Sequence, residues 1–176
     1  MPLSGTYAVD PVHSSIRFRV HHGGIAFYRG YFEGFEGTLD ASGSEPVLNG
    51  TTKVENISIR QPDFFRGHVM GEEFFDAEKY PDISFRSTAF KQDGGDVTIE
   101  GELTIRDKTN PITATGTLVG PTETHAGTRL ALDVETTIKR QDFGVSWEAP
   151  ALPSGAPSLA DDVTLEFTLQ LAAQDD

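Results

Sequence analysis

Arg66 and His68 stand among Phe64, Phe65, Phe74 and Phe75. A guanidinium and an imidazole set between aromatic rings match the make-up of a small-molecule pocket, where a mostly apolar wall carries a few polar groups that fix orientation. Charge-assisted hydrogen bonds from such groups are the strong way to hold a phosphate or carbonyl oxygen. Taken one by one, the same rings read more readily as ordinary core beneath a helix that caps one end of a domain. Other constellations carry less. His13, His21 and His22 would have to converge to bind a metal, and adjacent residues of a strand point to opposite faces, so no metal is expected. Glu100, Glu102, Asp133 and Glu135 fall on the polar sides of alternating runs and read as a solvated outer surface rather than a carboxylate pair across a cleft. Asp142-Phe143-Gly144 imitates the kinase magnesium motif without the glycine-rich and catalytic loops that it serves. Neither a nucleophile elbow, a phosphate loop nor a dinucleotide fingerprint occurs, and no catalytic residue is expected.

The chain has 176 residues, 14 Lys and Arg against 27 Asp and Glu, and a formal charge of −13. That length suits one domain over residues 1–176 with a substantial core. The charge would repel phosphate backbones and anionic surfaces unless a basic patch were segregated, and none is evident, so neither nucleic acid nor stable membrane insertion is expected. Without cysteine there are no disulfides, thiolate metal sites or Cys nucleophile. The opening MPLSGTYAVD lacks the basic and apolar regions of a leader, and no run approaches the ~20 apolar residues of a membrane-spanning helix. The expectation is a soluble, cytoplasmic protein.

The elements that must position these residues are mostly strands. Ile16, Phe18 and Val20 alternate with Arg17, Arg19 and His21, the period-two pattern of a strand buried on one face. The pattern recurs over Val97 to Ile105, Ile112 to Leu118, Leu130 to Ile138 and Val163 to Leu171, with weaker runs over Thr6 to Val9, Tyr31 to Leu39, Leu48 to Ile59 and Ile83 to Phe90. Long consecutive runs joined by turn residues predict an all-β antiparallel domain, and an up-and-down barrel suits them better than a sandwich. Gln61 to Lys79 resists this reading: Phe64, Phe65, His68, Val69 and Met70 recur at helical spacing, which predicts a short helical excursion. Gln141 to Asp161 holds Pro150, Pro153, Pro157 and Trp147 and reads as a long loop, either a lid or a mobile surface segment. Gly50, Thr52, Gly101, Ala114, Gly116 and Thr136 fall on the inner sides of their runs. They either leave room for a ligand or mark close backbone approaches.

Several segments, in order and spacing, resemble the YceI-like family of lipocalin-like, polyisoprenoid-binding barrels. They are Tyr7 to His21, Gly30 to Leu39, His68 with Glu73 to Asp76, Lys79 to Ser87, Gly101 to Ile105 with Thr109 to Pro111, and Lys139 to Val145. The resemblance covers nearly the whole chain. It implies an up-and-down lipocalin-like barrel of about eight antiparallel strands, a helical segment near the mouth, an interior that accepts a long apolar chain, and often a homodimer. The implied ligands are polyprenyl diphosphates, quinones or fatty amides, with no cofactor beside the bound lipid. On that basis Phe18, Val20, Phe85, Leu103, Leu132 and Phe167 are expected to line the tail channel, with Phe65, Phe74, Phe75 and Trp147 near the mouth. Arg66, His68 and Arg140 are expected to meet the head group. The family commonly carries an Arg-Asp pair shortly before its helical His, where this sequence reads Phe65-Arg66, so its choice of head group is expected to differ. Many members also begin with an export signal, which the opening residues here do not resemble. A barrel enzyme using His21 or His68 as acid or base, and a filled barrel acting as an interaction module, are the alternative readings.

Overall fold

A computed structural model describes residues 2–174. Ten strand segments follow in chain order: β1 (Gly5–Val9), β2 (Ser15–His22), β3 (Ala26–Phe32), β4 (Glu36–Ala41), β5 (Val47–Lys53), β6 (Asp82–Asp93), β7 (Asp96–Ile105), β8 (Lys108–Thr124), β9 (Gly127–Lys139) and β10 (Leu159–Ala173). One helix, α1 (Asp63–Met70), lies between β5 and β6. The sequence runs of Val97 to Ile105, Leu130 to Ile138 and Val163 to Leu171 fall within β7, β9 and β10, and Leu130, Leu132, Val134 and Ile138 face inward and are buried.

The ten segments make eight staves of a closed antiparallel barrel. β1 and β2 are one interrupted strand running along β10: Val9 pairs with Leu171, and Ser15 with Thr168. Pro11 cannot donate to the ladder. The chain turns instead, with the Asp10 carboxylate accepting from the Val12 N–H at 2.9 Å and lying 2.8 Å from His13 Nδ1. Ser14 Oγ takes the missing ladder position by accepting from the Gln170 N–H at 2.9 Å. β3 and β4 form the second interrupted stave, broken at Glu33 to Phe35, where Gly34 takes a positive φ of 58° that favours glycine. Expected as single runs, Tyr31 to Leu39 and Leu48 to Ile59 are thus each divided. After β5 a 3-10 turn at Val54–Asn56 leads to Ile57, which bridges to Phe32. The meander closes when β1 pairs with both β4 and β10.

The turns at 42–46, 94–95 and 125–126 lie at one end. The hairpin 23–25, the insertion 54–81, the turn at Arg106-Asp107 and the segment 140–158 lie at the other. The first end is filled by Tyr7, Leu39, Leu48, Ile99, Leu118, Leu130, Leu132 and Leu171, all nearly or fully buried. The other end is walled by smaller clusters around Leu103, Ile138 and Phe143 on one side and Ile57, Ile59 and Val69 on the other.

Candidate functional site

Between those two smaller clusters lies a cavity of about 520 Å³. That is within the roughly 300–1,000 Å³ typical of sites that enclose a small organic ligand. Its floor is the packed end of the barrel. Its walls are Phe18 and Val20 of β2, Phe85 of β6, Leu103 of β7, Ile138 of β9, and Leu165 and Phe167 of β10. Phe65, Val69, Phe74, Phe75 and Trp147 close over it.

α1 lies across the mouth because its spacing puts one side on the barrel. Asp63 sits in the first turn, favourable to the helix dipole, and Phe65 and Val69 face inward. The Phe65 ring meets Tyr28 of β3 edge-on with centroids 6.1 Å apart. His68, in the last turn, packs edge-on against Phe74 at 5.5 Å and Trp147 at 4.7 Å, rings that also touch each other at 6.1 Å. Its Nδ1 is 3.9 Å from the exposed Glu73 carboxylate, beyond hydrogen-bond reach. Its Nε2 is buried and has no hydrogen-bond partner among the described residues. An orphaned polar atom of this kind is costly unless something fills the position in front of it.

The arginines have other tasks. Arg140 is buried and donates from Nε to the Ala160 carbonyl (2.9 Å), from Nη1 to those of Val145 (2.8 Å) and Trp147 (2.7 Å), and from Nη2 to that of Leu159 (3.2 Å). Burial lowers its pKa, opposed by the charges of Asp161 and Glu148. Four of its N–H groups therefore hold the segment 145–147 against the start of β10. Arg66, on α1, donates to the Ile59 carbonyl (2.7 Å) and the Glu55 carbonyl (3.0 Å), which fastens the helix to the 3-10 turn. Its guanidinium is not part of the cavity wall. Arg106 lies outside the expected set. At the β7–β8 turn, with a φ of 55°, it donates from Nη1 to the carbonyls of Phe74 (3.0 Å) and Gly144 (2.7 Å) and joins the two segments that cover the mouth. Its signal in sequence is only an arginine at a turn, so the cross-links could not be read there.

Of the residues expected at the tail, Phe18, Val20, Phe85, Leu103 and Phe167 line the cavity, as do Phe65, Phe74, Phe75 and Trp147 near the mouth. Leu132 does not. Its side chain is fully buried in the filled end, where it pairs with Leu118 and Leu169. Of the expected head-group residues, His68 and Arg140 reach the cavity and Arg66 does not. The small residues divide in the same way. Gly50 and Thr52 border the cavity. Gly101 lies under the Phe85 ring, Gly116 abuts the backbone of Asp133 and Val134, and the Thr136 hydroxyl donates to the Thr113 carbonyl at 2.8 Å. Those three reflect close packing and not free space. The wider set of charged groups around the cavity is small: Glu36 and Arg140, with His22 and His68 as the titratable imidazoles.

Residues 7–171 match the YceI-like domain. The protein YceI of Escherichia coli O17:K52:H18 is 30% identical over 149 residues, covering 81% of this chain and 78% of its own. That of Salmonella arizonae is 28% identical over 150 residues, covering 82% and 78%. Among solved structures, Burkholderia cenocepacia BcnA superposes with a TM-score of 0.76 at 23% identity, over 92% of this chain and 98% of that one. A polyisoprenoid-binding domain from Saccharophagus degradans superposes at 0.68 and 14% identity, over 96% and 98%. These two likenesses concern the fold. With the family match spanning nearly the whole barrel, the chain belongs to the YceI-like family.

Proposed function

We propose that this protein is a non-catalytic carrier that holds the tail of an isoprenoid-like lipid in the mouth-side half of its barrel. The observation that carries the reading is the cavity of about 520 Å³, apolar on its walls and covered by α1 and the Trp147 segment. The family match and the polyisoprenoid-binding domain among the fold neighbours support the same class of ligand. Each buried methylene contributes ~0.8 kcal/mol, so one five-carbon isoprene unit contributes about 3–4 kcal/mol before entropic costs. A membrane offers the tail a similar environment, so the head group decides which lipid is retained.

The head we favour is uncharged and carries a hydrogen-bonding oxygen, as in a quinone or an amide. A diphosphate calls for free cations. The cavity wall offers one arginine, already donating to four carbonyls. Among the described residues that line the cavity, His68 Nε2 is the buried side-chain nitrogen left without a partner, and a single carbonyl or hydroxyl oxygen would satisfy it. The distance from His68 to Glu73 weighs against an acid–base dyad and so against the enzymatic alternative. Gentle purification followed by organic extraction and mass spectrometry tests the reading. A stoichiometric long-chain neutral lipid is the expected result; protein free of lipid that also fails to take up a polyprenyl quinone would refute it.

A further inference from the structure

We propose that the outer face of the β2–β3 hairpin, with its tip at Ile25, docks the protein on an anionic lipid bilayer. Residues 11–32 contain no Asp or Glu, although the chain carries a net charge of −13; they contain Arg17, Arg19 and Arg29, and three of the five histidines. Pairing brings the three arginines and His21 onto one surface, whereas His22 borders the cavity and His13 lies 2.8 Å from the Asp10 carboxylate. Arg17 faces Tyr31, Arg19 faces Arg29, and His21 faces Phe27 across the two strands. The guanidinium carbons of Arg19 and Arg29 lie 5.6 and 5.4 Å from the Phe27 ring centre, and the His21 ring meets it edge-on at 5.2 Å. Among the described residues Arg19 alone of these three arginines has a carboxylate partner, Glu166 at 3.2 Å. The basic surface that the sequence did not disclose is therefore formed by the fold, from residues alternating with the inward Phe18, Val20 and Tyr28.

Charge complementarity names an anionic partner, and the apolar groups beside it decide which kind. Ile25 is 89% exposed at the hairpin tip, and Phe27, between Arg19 and Arg29, is 50% exposed. Residues 149–160 contain no charged side chain, and they pack on the hairpin through the Gly23 N–H to Ser158 carbonyl bond of 2.8 Å. A nucleic-acid backbone would leave these apolar groups in water, whereas a bilayer interface takes arginines at its head groups and isoleucine and phenylalanine just beneath. Glu166 of β10, in register with Arg17 and paired with Arg19, removes one charge from this surface, while acidic groups more than about 8 Å away are largely screened at physiological salt. The hairpin tip lies at the mouth end, so docking there sets the cavity entrance beside the lipid. The inference stands whichever ligand the cavity takes.

The test uses the full chain and sedimentation with vesicles of phosphatidylcholine alone or mixed with phosphatidylglycerol. The mixed vesicles are expected to retain the protein, with retention falling as salt is raised. Arg17→Glu with Arg29→Glu should weaken retention roughly tenfold or more, and Ile25→Ser should weaken it as well. All three positions are exposed, and unchanged melting would confirm that the variants fold. Lys91→Gln, on a distant part of the wall, should bind as the parent does. Equal binding to neutral vesicles, no binding at all, or hairpin variants that bind like the parent would overturn the proposal. So would a parent dimer that the same variants split without any vesicle binding, which would assign the face to a second copy, or salt-sensitive binding of duplex DNA in place of vesicles. Quinone uptake in vesicle-free solution should be the same in the hairpin variants, which separates this proposal from the carrier reading.

Discussion

The indole of Trp147 meets the imidazole of His68 edge-on with ring centroids 4.7 Å apart, and the Trp147 carbonyl accepts a 2.7 Å hydrogen bond from Arg140. The polar atom at the mouth is thus positioned by a ring whose own place depends on a buried arginine. Covering segment, aromatic wall and candidate head-group contact are mechanically one unit, and each part has a separable consequence.

Replacing His68 with Leu removes a buried nitrogen that has no hydrogen-bond partner among the described residues. Unliganded stability is expected to hold or to rise by about 1 kcal/mol, since an unsatisfied buried group costs that much or more. Affinity for a quinone should fall about tenfold, the loss of one hydrogen bond, with little change for a hydrocarbon lacking the oxygen. Thermal melting paired with ligand titration checks both halves.

Gly50 faces the cavity opposite Phe85, and a Cβ there would meet only the Glu36 carbonyl at an ordinary 3.6 Å. Gly50→Leu is expected to fill the chamber, keep the melting temperature, and cut lipid affinity by about tenfold or more. Gly116→Ala is the contrasting case. Its Cβ would press on the backbone, 2.8 Å from Val134 Cα, so stability should drop by about 1–3 kcal/mol.

Arg66→Ala is expected to loosen α1 from the 3-10 turn and lower the melting temperature, leaving the preference among head groups as it was. Arg140→Met should cost more, about 2 kcal/mol or above, because it strands several buried carbonyls. It should also shift the fluorescence of Trp147, the only tryptophan in the chain. A change of head-group preference in Arg66→Ala, measured by competition between a quinone and a polyprenyl phosphate, would show that the helix arginine contacts ligand.

Burial raises the pKa of Tyr28 above its ordinary 10.0. The folded state then keeps this proton to higher pH than the unfolded chain, so the associated stability is fully present below 10.0 and is lost as pH rises past it. Tyr28→Phe should flatten part of that decline in melting temperature. Lys53, Lys91 and Lys139, raised by hydrogen bonds to their carboxylate partners, lose stability in the same direction and should leave a residual slope.

Much of the barrel was legible in the sequence because one-sided burial writes a period of two. β7, β9 and β10 carry it without interruption, and the departure from it at Phe64, Phe65, His68 and Val69 marked α1. The interruptions within β1–β2 and β3–β4 were not legible, since what repairs the ladder at Ser14 is a hydroxyl paired with Gln170, far away in the chain. Alternation also tells only which side of a strand faces inward and not how far along the barrel a residue sits. Leu132 and Leu103 have the same pattern, yet one lies in the filled end and the other on the cavity wall. Arginine is likewise ambiguous: the same guanidinium that could hold a ligand oxygen serves backbone carbonyls in Arg66, Arg106 and Arg140. His68 stood out in sequence by its aromatic neighbours, and in the structure by the want of a partner.

Trp147 fluorescence during titration with a decyl-substituted benzoquinone tests the chamber most directly, because the only tryptophan lines the cavity mouth. Saturable quenching at one quinone per chain, abolished by Gly50→Leu in a protein that melts like the parent, is the expected result. Quenching that never saturates, or that is the same in Gly50→Leu, would contradict a binding chamber inside the barrel.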